Sequence, residues 1–144
     1  MKTVLLATVA GLALLAGCSG TGSTTAKAPE GVGGYFLVSV NGLNVPAVTV
    51  QNETVKQEIL TGNFTSSSEG TFTETRTGRI TLSGGTPSTI QSTQSGTWTK
   101  SGSQFLFVTG TVTAPITFVG TFSGGVLTYT ASGTTFKYQL ALPD

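Results

Sequence analysis

Apolar and polar side chains alternate along much of this chain, which is the pattern of strands that bury one face. Residues 111–122 show it well: the even positions include Val112, Ile116 and Phe118, whereas the odd positions are mostly threonine. The final run, 134–141, repeats the alternation with aromatic residues on one side. Both segments are therefore predicted to form strands that bury one face in a shared core.

Short β-prone runs of this kind follow one another with glycine-bearing turns between them, which favours antiparallel neighbours. The pattern predicts an all-β fold, a single antiparallel up-and-down barrel of about 8–10 strands, with a β-sandwich as the alternative. Residues 53–60 also fit a helical turn. The runs are 35–41, 46–50, 56–64, 70–76, 79–83, 88–99, 104–113, 116–122, 126–130 and 134–141.

A glycine-threonine-aromatic motif recurs at Gly70, Gly96 and Gly120, with a looser copy at Gly133. A glycine at a strand start or bend, with an aromatic residue two positions later, predicts hairpins that each place one aromatic ring in the core. The intervals between the copies are irregular, so the motif does not indicate a solenoid repeat.

Two charges interrupt an otherwise apolar face in residues 70–83. Threonine occupies most odd positions there, which places Glu74 and Arg76 on the same side as Phe72. Because an inward charge is costly unless it is paired or near water, we expect this pair at a barrel mouth. In the alternative, the strands of this hairpin end by Thr73 and both charges lie in solvent.

The first residues have the layout of a secretory signal peptide. Lys2 precedes an apolar stretch, Val4 to Leu15, that is too short for a membrane span, and small residues follow it. Leu15-Ala16-Gly17-Cys18 resembles the bacterial lipobox, which implies cleavage before Cys18 and lipid on its sulfur. Ser19 is similar to the outer-membrane sorting signal of Gram-negative lipoproteins.

The resemblance to lipoproteins sets the expected domain organisation and location. Residues 1–17 are the signal peptide, residues 18–33, rich in small and polar residues, are a lipidated flexible tether, and residues 34–144 are the barrel domain. The expected location is the cell envelope, most specifically the outer membrane facing the periplasm, with the lipid on Cys18 as the membrane partner.

Composition excludes several functions. Seven basic and six acidic residues give no charge imbalance of the kind that binds nucleic acid. The chain has no histidine and a single cysteine, so it lacks Ser-His and Cys-His nucleophile systems and any Cys/His metal site. No motif supports a Ser-Lys or paired-carboxylate site. We therefore expect no enzyme activity, no cofactor and no metal.

The opening of the domain, Gly34-Tyr35-Phe36-Leu37-Val38-Ser39-Val40-Asn41-Gly42 with Pro46 after it, is similar to small bacterial lipocalin-like lipoproteins. The resemblance implies a calycin-type antiparallel barrel of about eight strands, whose mouth holds a small apolar ligand. The ligand is then a small hydrophobic molecule or an envelope component. The expected apolar wall is Phe72, Trp98, Phe118, Tyr129 and Tyr138, with Glu74 and Arg76 as polar groups at the mouth.

An alternative function follows from the number of large inward residues. A barrel of about eight strands is just wide enough either to fill itself with side chains or to hold one small ligand. If the barrel is filled, the protein is a structural or protein-interaction lipoprotein that works through its outer surface or its strand edges.

Overall fold

The computed structural model describes residues 29–141, which form β-strands joined by short turns, without a helix in that range. Within these residues no helix is long and apolar enough to cross a membrane. The strands are β1 Gly33–Val40, β2 Leu43–Asn44, β3 Ala47–Gln51, β4 Val55–Ser66, β5 Thr71–Leu82, β6 Ser88–Ser101, β7 Gln104–Thr111, β8 Ala114–Ser123, β9 Val126–Ala131 and β10 Thr134–Leu140.

The strands form one antiparallel sheet that closes on itself. From β4 to β10 each strand pairs with the next, β10 pairs with β1, and the first half of β1 pairs with the end of β4. This closes an eight-stranded ring, with β2 attached to β1 and β3 attached to β4. The prediction of an all-β, antiparallel up-and-down barrel is confirmed, and the sandwich alternative is wrong.

The tight turns follow from the residues at their centres. Asn41-Gly42 between β1 and β2, and Ser132-Gly133 between β9 and β10, have positive φ at both residues, 49° and 81° in the first pair and 49° and 76° in the second. Two positive φ values are the geometry of a type I′ turn, whose twist matches that of a β-hairpin. The glycine-bearing turns therefore connect neighbouring strands, as the sequence predicts.

Strand β5 differs from its prediction. The sequence suggested two strands, 70–76 and 79–83, but residues Thr71–Leu82 form one strand of 12 residues. The hairpin alternative, in which the strands end by Thr73, is wrong because β4 pairs with β5 from Ser66↔Phe72 to Val55↔Leu82. Pairing on both sides, with one irregularity on the β4 side between Ile59 and Thr61, carries β5 along the barrel wall.

The barrel has two ends that differ in how they are covered. The turns β4–β5, β6–β7 and β8–β9 lie at the closed end, where Pro29 to Val32 pack against the barrel. Glu30 forms an ion pair of 2.7 Å with Lys100, and Gly31 accepts a hydrogen bond from Ser66. The packed domain thus begins ahead of the predicted boundary at residue 34, because residues assigned to the tether contact the barrel.

The turns β5–β6, β7–β8 and β9–β10 lie at the other end, which we call the open end. The alternation in the sequence overestimates the core here. Val112, Ile116 and Leu82 are 101%, 62% and 61% exposed, respectively, although each has the parity of a core residue. They lie in or near the turns, beyond the level at which opposite walls of the barrel face each other.

Candidate functional site

The predicted apolar wall points inward, but its rings pack against one another. Phe72, Phe118, Tyr129 and Tyr138 are all at most 5% exposed. Phe72 stacks on Phe64 with ring centroids 5.4 Å apart, and Phe118 lies 4.7 Å from Tyr129. The middle of the barrel is therefore a close-packed aromatic core.

Glu74 lies in this core, which corrects the expectation that it lies at the mouth. Even positions of β5 face inward, so Glu74 points the same way as Phe72 and is 1% exposed. Its Oε1 accepts hydrogen bonds from the Tyr129 hydroxyl, at 2.5 Å, and from the Tyr138 hydroxyl. Its Oε2 accepts one from the Gln94 amide.

These donors compensate for the burial of a carboxylate, which is strongly unfavourable without hydrogen bonds or a counterion. Arg76 adds the counterion, with its Nε 3.3 Å from Oε1 of Glu74. Burial and the neighbouring negative charge of Glu74 both raise the pKa of Tyr129 and of Tyr138 above the ordinary value. The two hydroxyls are therefore neutral hydrogen-bond donors at physiological pH.

Arg76 connects this buried network to the open end. Its side chain is 25% exposed, and its guanidinium carbon lies 4.4 Å from the centre of the Phe136 ring, in a cation–π contact. In the part of the chain that the structure describes, only its Nε is paired with a carboxylate, that of Glu74. Of the two charged residues expected near the mouth, Arg76 is therefore the one that reaches toward the open end.

A pocket of about 220 Å³ lies next to Arg76, and we call it the open-end pocket. It forms where β3, β4, β5 and β6 extend beyond the rest of the barrel. Gly78 is one of the lining residues, and a Cβ there would be crowded, 3.0 Å from the Glu58 carbonyl oxygen and 3.4 Å from Ile90. The lining residues are Thr49, Gln57, Glu58, Ile59, Arg76, Thr77, Gly78, Arg79, Ile80, Ile90 and Ser92.

Two further charged residues, Glu58 and Arg79, line the open-end pocket and pair with each other. The Glu58 carboxylate lies 3.0 Å from Lys56 Nζ and 2.8 Å from Arg79 Nη2. Hydrogen bonds from these two cations lower the pKa of Glu58 below its ordinary range. Arg79 is therefore already paired with Glu58, whereas the carboxylate partner of Arg76 is Glu74 in the core.

Trp98 lies at the closed end and not in the open-end pocket. Its indole nitrogen donates a 3.2 Å hydrogen bond to the Thr71 carbonyl, and its ring lies 5.4 Å from that of Phe105. On β6 it is separated from Ser92, the cross-strand partner of Arg76, by about 20 Å of strand. Of the predicted ligand-binding residues, Arg76 is the one that lines this pocket.

A second groove, of about 630 Å³, lies at the closed end, between Pro29 to Val32 and the β8–β9 turn. It borders Pro29 and Leu140, next to the points at which the described residues begin and end. Of the described residues that line it, Glu30 is the charged one, and it is paired with Lys100. In the described part of the chain, the groove is therefore lined by no unpaired charge, and the Tyr35 and Ser123 hydroxyls are its other polar side-chain groups.

The remaining predictions concern chemistry and the N-terminus. Cys18, the signal peptide and most of the tether lie outside the described residues. Among residues 29–141, no group of three or more His, Cys, Asp or Glu side chains could hold a metal ion.

Sequence reasoning missed part of the open-end pocket. Ile80, Ile90 and Ser92 share the inward parity of their strands and could be found by alternation. Gln57 and Ile59 could not, because an irregularity in the β4–β5 register between Ile59 and Thr61 shifts the parity of β4. A bulge of this kind leaves no reliable mark in a single sequence.

Comparison with known proteins adds little. No protein-family model matches the chain, and no curated protein matches it. Among solved structures, the crystal structure of a mutant of the fluorescent protein UnaG is similar, with a TM-score of 0.33 and 11% identity; the match covers 78% of this chain and 96% of that one. Likeness at this level carries no argument about function.

Proposed function

We propose that this protein is a lipoprotein of the cell envelope that binds a small anionic amphiphile in the open-end pocket. The observation that carries the proposal is the position of Arg76, which lines a pocket of about 220 Å³ together with isoleucine side chains. A guanidinium beside apolar groups fits a ligand that has a carboxylate at one end and a short apolar part at the other.

The filled core explains why the ligand site lies at the end of the barrel. Phe64, Phe107 and Tyr138 are fully buried at the centre, and the aromatic rings around them are in mutual contact. A ligand in the middle would have to displace these rings, at the cost of native packing. The open-end pocket requires no such change.

Glu74 gives Arg76 a fixed orientation for this role. The ion pair with Glu74 uses Nε, and the Phe136 ring supports the guanidinium carbon. The terminal nitrogens of the guanidinium are further N–H donors, which can bind a carboxylate in bidentate geometry. Ile59, Ile80 and Ile90 supply apolar surface to the rest of the ligand.

The binding proposal is tested by calorimetric titration of the chain without residues 1–18, using octanoate as the charged probe and octanol as the neutral one. We expect saturable binding of octanoate, weaker binding of octanol, and a loss of about ten- to a hundredfold in octanoate affinity on Arg76→Gln, because a hydrogen-bonded charge pair is removed.

The matched control is Arg79→Gln, which removes a guanidinium three residues further along β5 that has the opposite strand parity and is already paired with Glu58. It should change octanoate affinity much less than Arg76→Gln. If octanoate does not bind saturably, or if both variants lose the same affinity, the proposed site is wrong.

The membrane anchor is the second part of the proposal. Leu15-Ala16-Gly17-Cys18 supports lipid on Cys18, and Ser19 supports transport to the outer membrane, with the barrel in the periplasm. In a Gram-negative host grown with labelled palmitate, the full chain should take up label and Cys18→Ser should not. Equal labelling of the two chains, or none in either, contradicts the anchor.

The filled core also supports the alternative of a structural or protein-interaction lipoprotein without a ligand. That alternative would be adopted if neither probe binds while the palmitate label is found on Cys18. Neither version of the proposal includes a catalytic step, a metal or a cofactor.

A further inference from the structure

Strand β6 extends well beyond its neighbour on one side. Residues 88–97 pair with β5, from Ser88↔Ile80 to Thr97↔Thr71, whereas pairing with β7 begins only at Gly96↔Thr109. Among residues 29–141, no strand pairs with residues 88–95 on the β7 side. This stretch, which we call the β6 free edge, is exposed apart from the partly buried Gln94.

Two hydrogen bonds show which backbone groups the β6 free edge presents. Trp98 N donates to Gly70 O, so even residues of β6 direct their backbone groups toward β5. Ser95 O accepts a 2.7 Å hydrogen bond from the Thr109 hydroxyl, so odd residues direct theirs toward the β7 side. Thr89, Gln91 and Thr93 therefore present their N–H and C=O groups at the free edge.

Nothing in this stretch protects it against pairing. Natural sheets guard their edges with charges, prolines, bulges or short strands. The sequence Ser88-Thr89-Ile90-Gln91-Ser92-Thr93-Gln94-Ser95 has no charge and no proline, and its register with β5 is regular. Strand β3, the free edge on the opposite side of the same extension, has 5 residues and a register shift between Val48 and Val50.

We propose that the β6 free edge pairs with the β6 free edge of a second copy of this chain, in antiparallel orientation about a two-fold axis at Gln91. In this register Gln91 lies opposite Gln91 of the other copy, and Thr89 lies opposite Thr93. Because these odd residues carry the free N–H and C=O groups, each one finds its partner in a hydrogen-bonded pair.

The side chains of the β6 free edge favour a second copy over another partner. Every residue of the edge is uncharged, so self-pairing brings no like charges together. On the outer face, Thr93 already pairs with Thr75 through hydroxyls 3.2 Å apart, and Ser95 pairs with Thr73 at 3.0 Å. Thr89 and Thr93 can continue this hydroxyl pairing across the axis. The two-fold arrangement is closed, whereas pairing with β3 would build an open chain of copies.

The test uses the full chain purified in detergent, with Cys18→Ser in every variant. Sedimentation should show a dimer, and Gln91→Lys should weaken it about tenfold or more, because two lysines would then face each other across the axis. The matched control is Thr99→Lys, which adds the same charge to an exposed position of β6 that is paired with Leu106 of β7. The control should remain a dimer.

Cross-linking tests the register. Residues in a hydrogen-bonded antiparallel pair have Cα atoms about 5.5 Å apart, within reach of a disulfide. On oxidation, Gln91→Cys should form covalent dimers, and Thr99→Cys should not. The proposal is overturned if the chain sediments as a monomer, if the dimer survives Gln91→Lys, or if Gln91→Cys cross-links no faster than Thr99→Cys. These outcomes do not depend on the octanoate site.

Discussion

Replacing Glu74 with glutamine is expected to lower the free energy of unfolding by about 3–5 kcal/mol. The substitution keeps the shape of the side chain but removes the negative charge that Arg76 faces in the core. It also replaces an oxygen that accepts from Tyr129, Tyr138 or Gln94 with an amide that donates. Urea denaturation of the chain without residues 1–18 measures the loss.

The control for this prediction is Glu69→Gln, an isosteric change at an exposed turn residue of the β4–β5 hairpin. It should leave the free energy of unfolding within about 0.5 kcal/mol of the wild type. A loss of less than about 1 kcal/mol for Glu74→Gln would mean that the buried carboxylate is not held as described. Tyr129→Phe in the same background should then show whether the remaining donors act together.

Replacing Gly96 with alanine is expected to lower the free energy of unfolding by about 3 kcal/mol or more. A Cβ at this position would lie 2.0 Å from the Val108 carbonyl oxygen and 3.0 Å from the Phe72 ring. The first contact is with backbone, so relief requires β6 and β7 to separate where their pairing begins. Urea denaturation again gives the magnitude.

Gly34→Ala is the matched control, since Gly34 also lies in a strand but no atom lies within 4 Å of the Cβ it would gain. It should be close to neutral. Equal losses in the two variants would mean that a lost strand glycine, and not the close approach at Gly96, causes the effect.

The glycines of the repeated glycine-threonine-aromatic motif are required for different structural reasons. Gly96 and Gly120 allow close approach to a neighbouring strand, since a Cβ at Gly96 would lie 2.0 Å from Val108 O and one at Gly120 would lie 3.0 Å from Thr128 O. Gly70 and Gly133 instead have positive φ, 78° and 76°, in or beside turns. The sequence indicates that glycine is needed at these places, but it does not distinguish a steric reason from a conformational one.

For the residues around Glu74, too, the sequence predicted part of the arrangement and the tertiary structure decided the rest. Alternation alone placed Glu74, Tyr129 and Tyr138 on inward faces, since side-chain direction in a strand has a period of two. Three donors converge on the Glu74 carboxylate: Gln94 of β6 and one tyrosine each from β9 and β10. This convergence depends on closure of the barrel, which no local sequence pattern encodes. The sequence therefore pointed to a mouth, whereas the carboxylate lies in the core.

Local chemistry along the chain determined the strands, most turns and the inward faces, because strand parity and turn residues act over a few neighbouring positions. Tertiary structure alone decided where alternation stops defining the core, as at Val112 and Ile116. It also decided the shift of β4 parity and the free edge of β6. These features depend on strand lengths and register between segments distant in sequence, which are set by closure of the barrel.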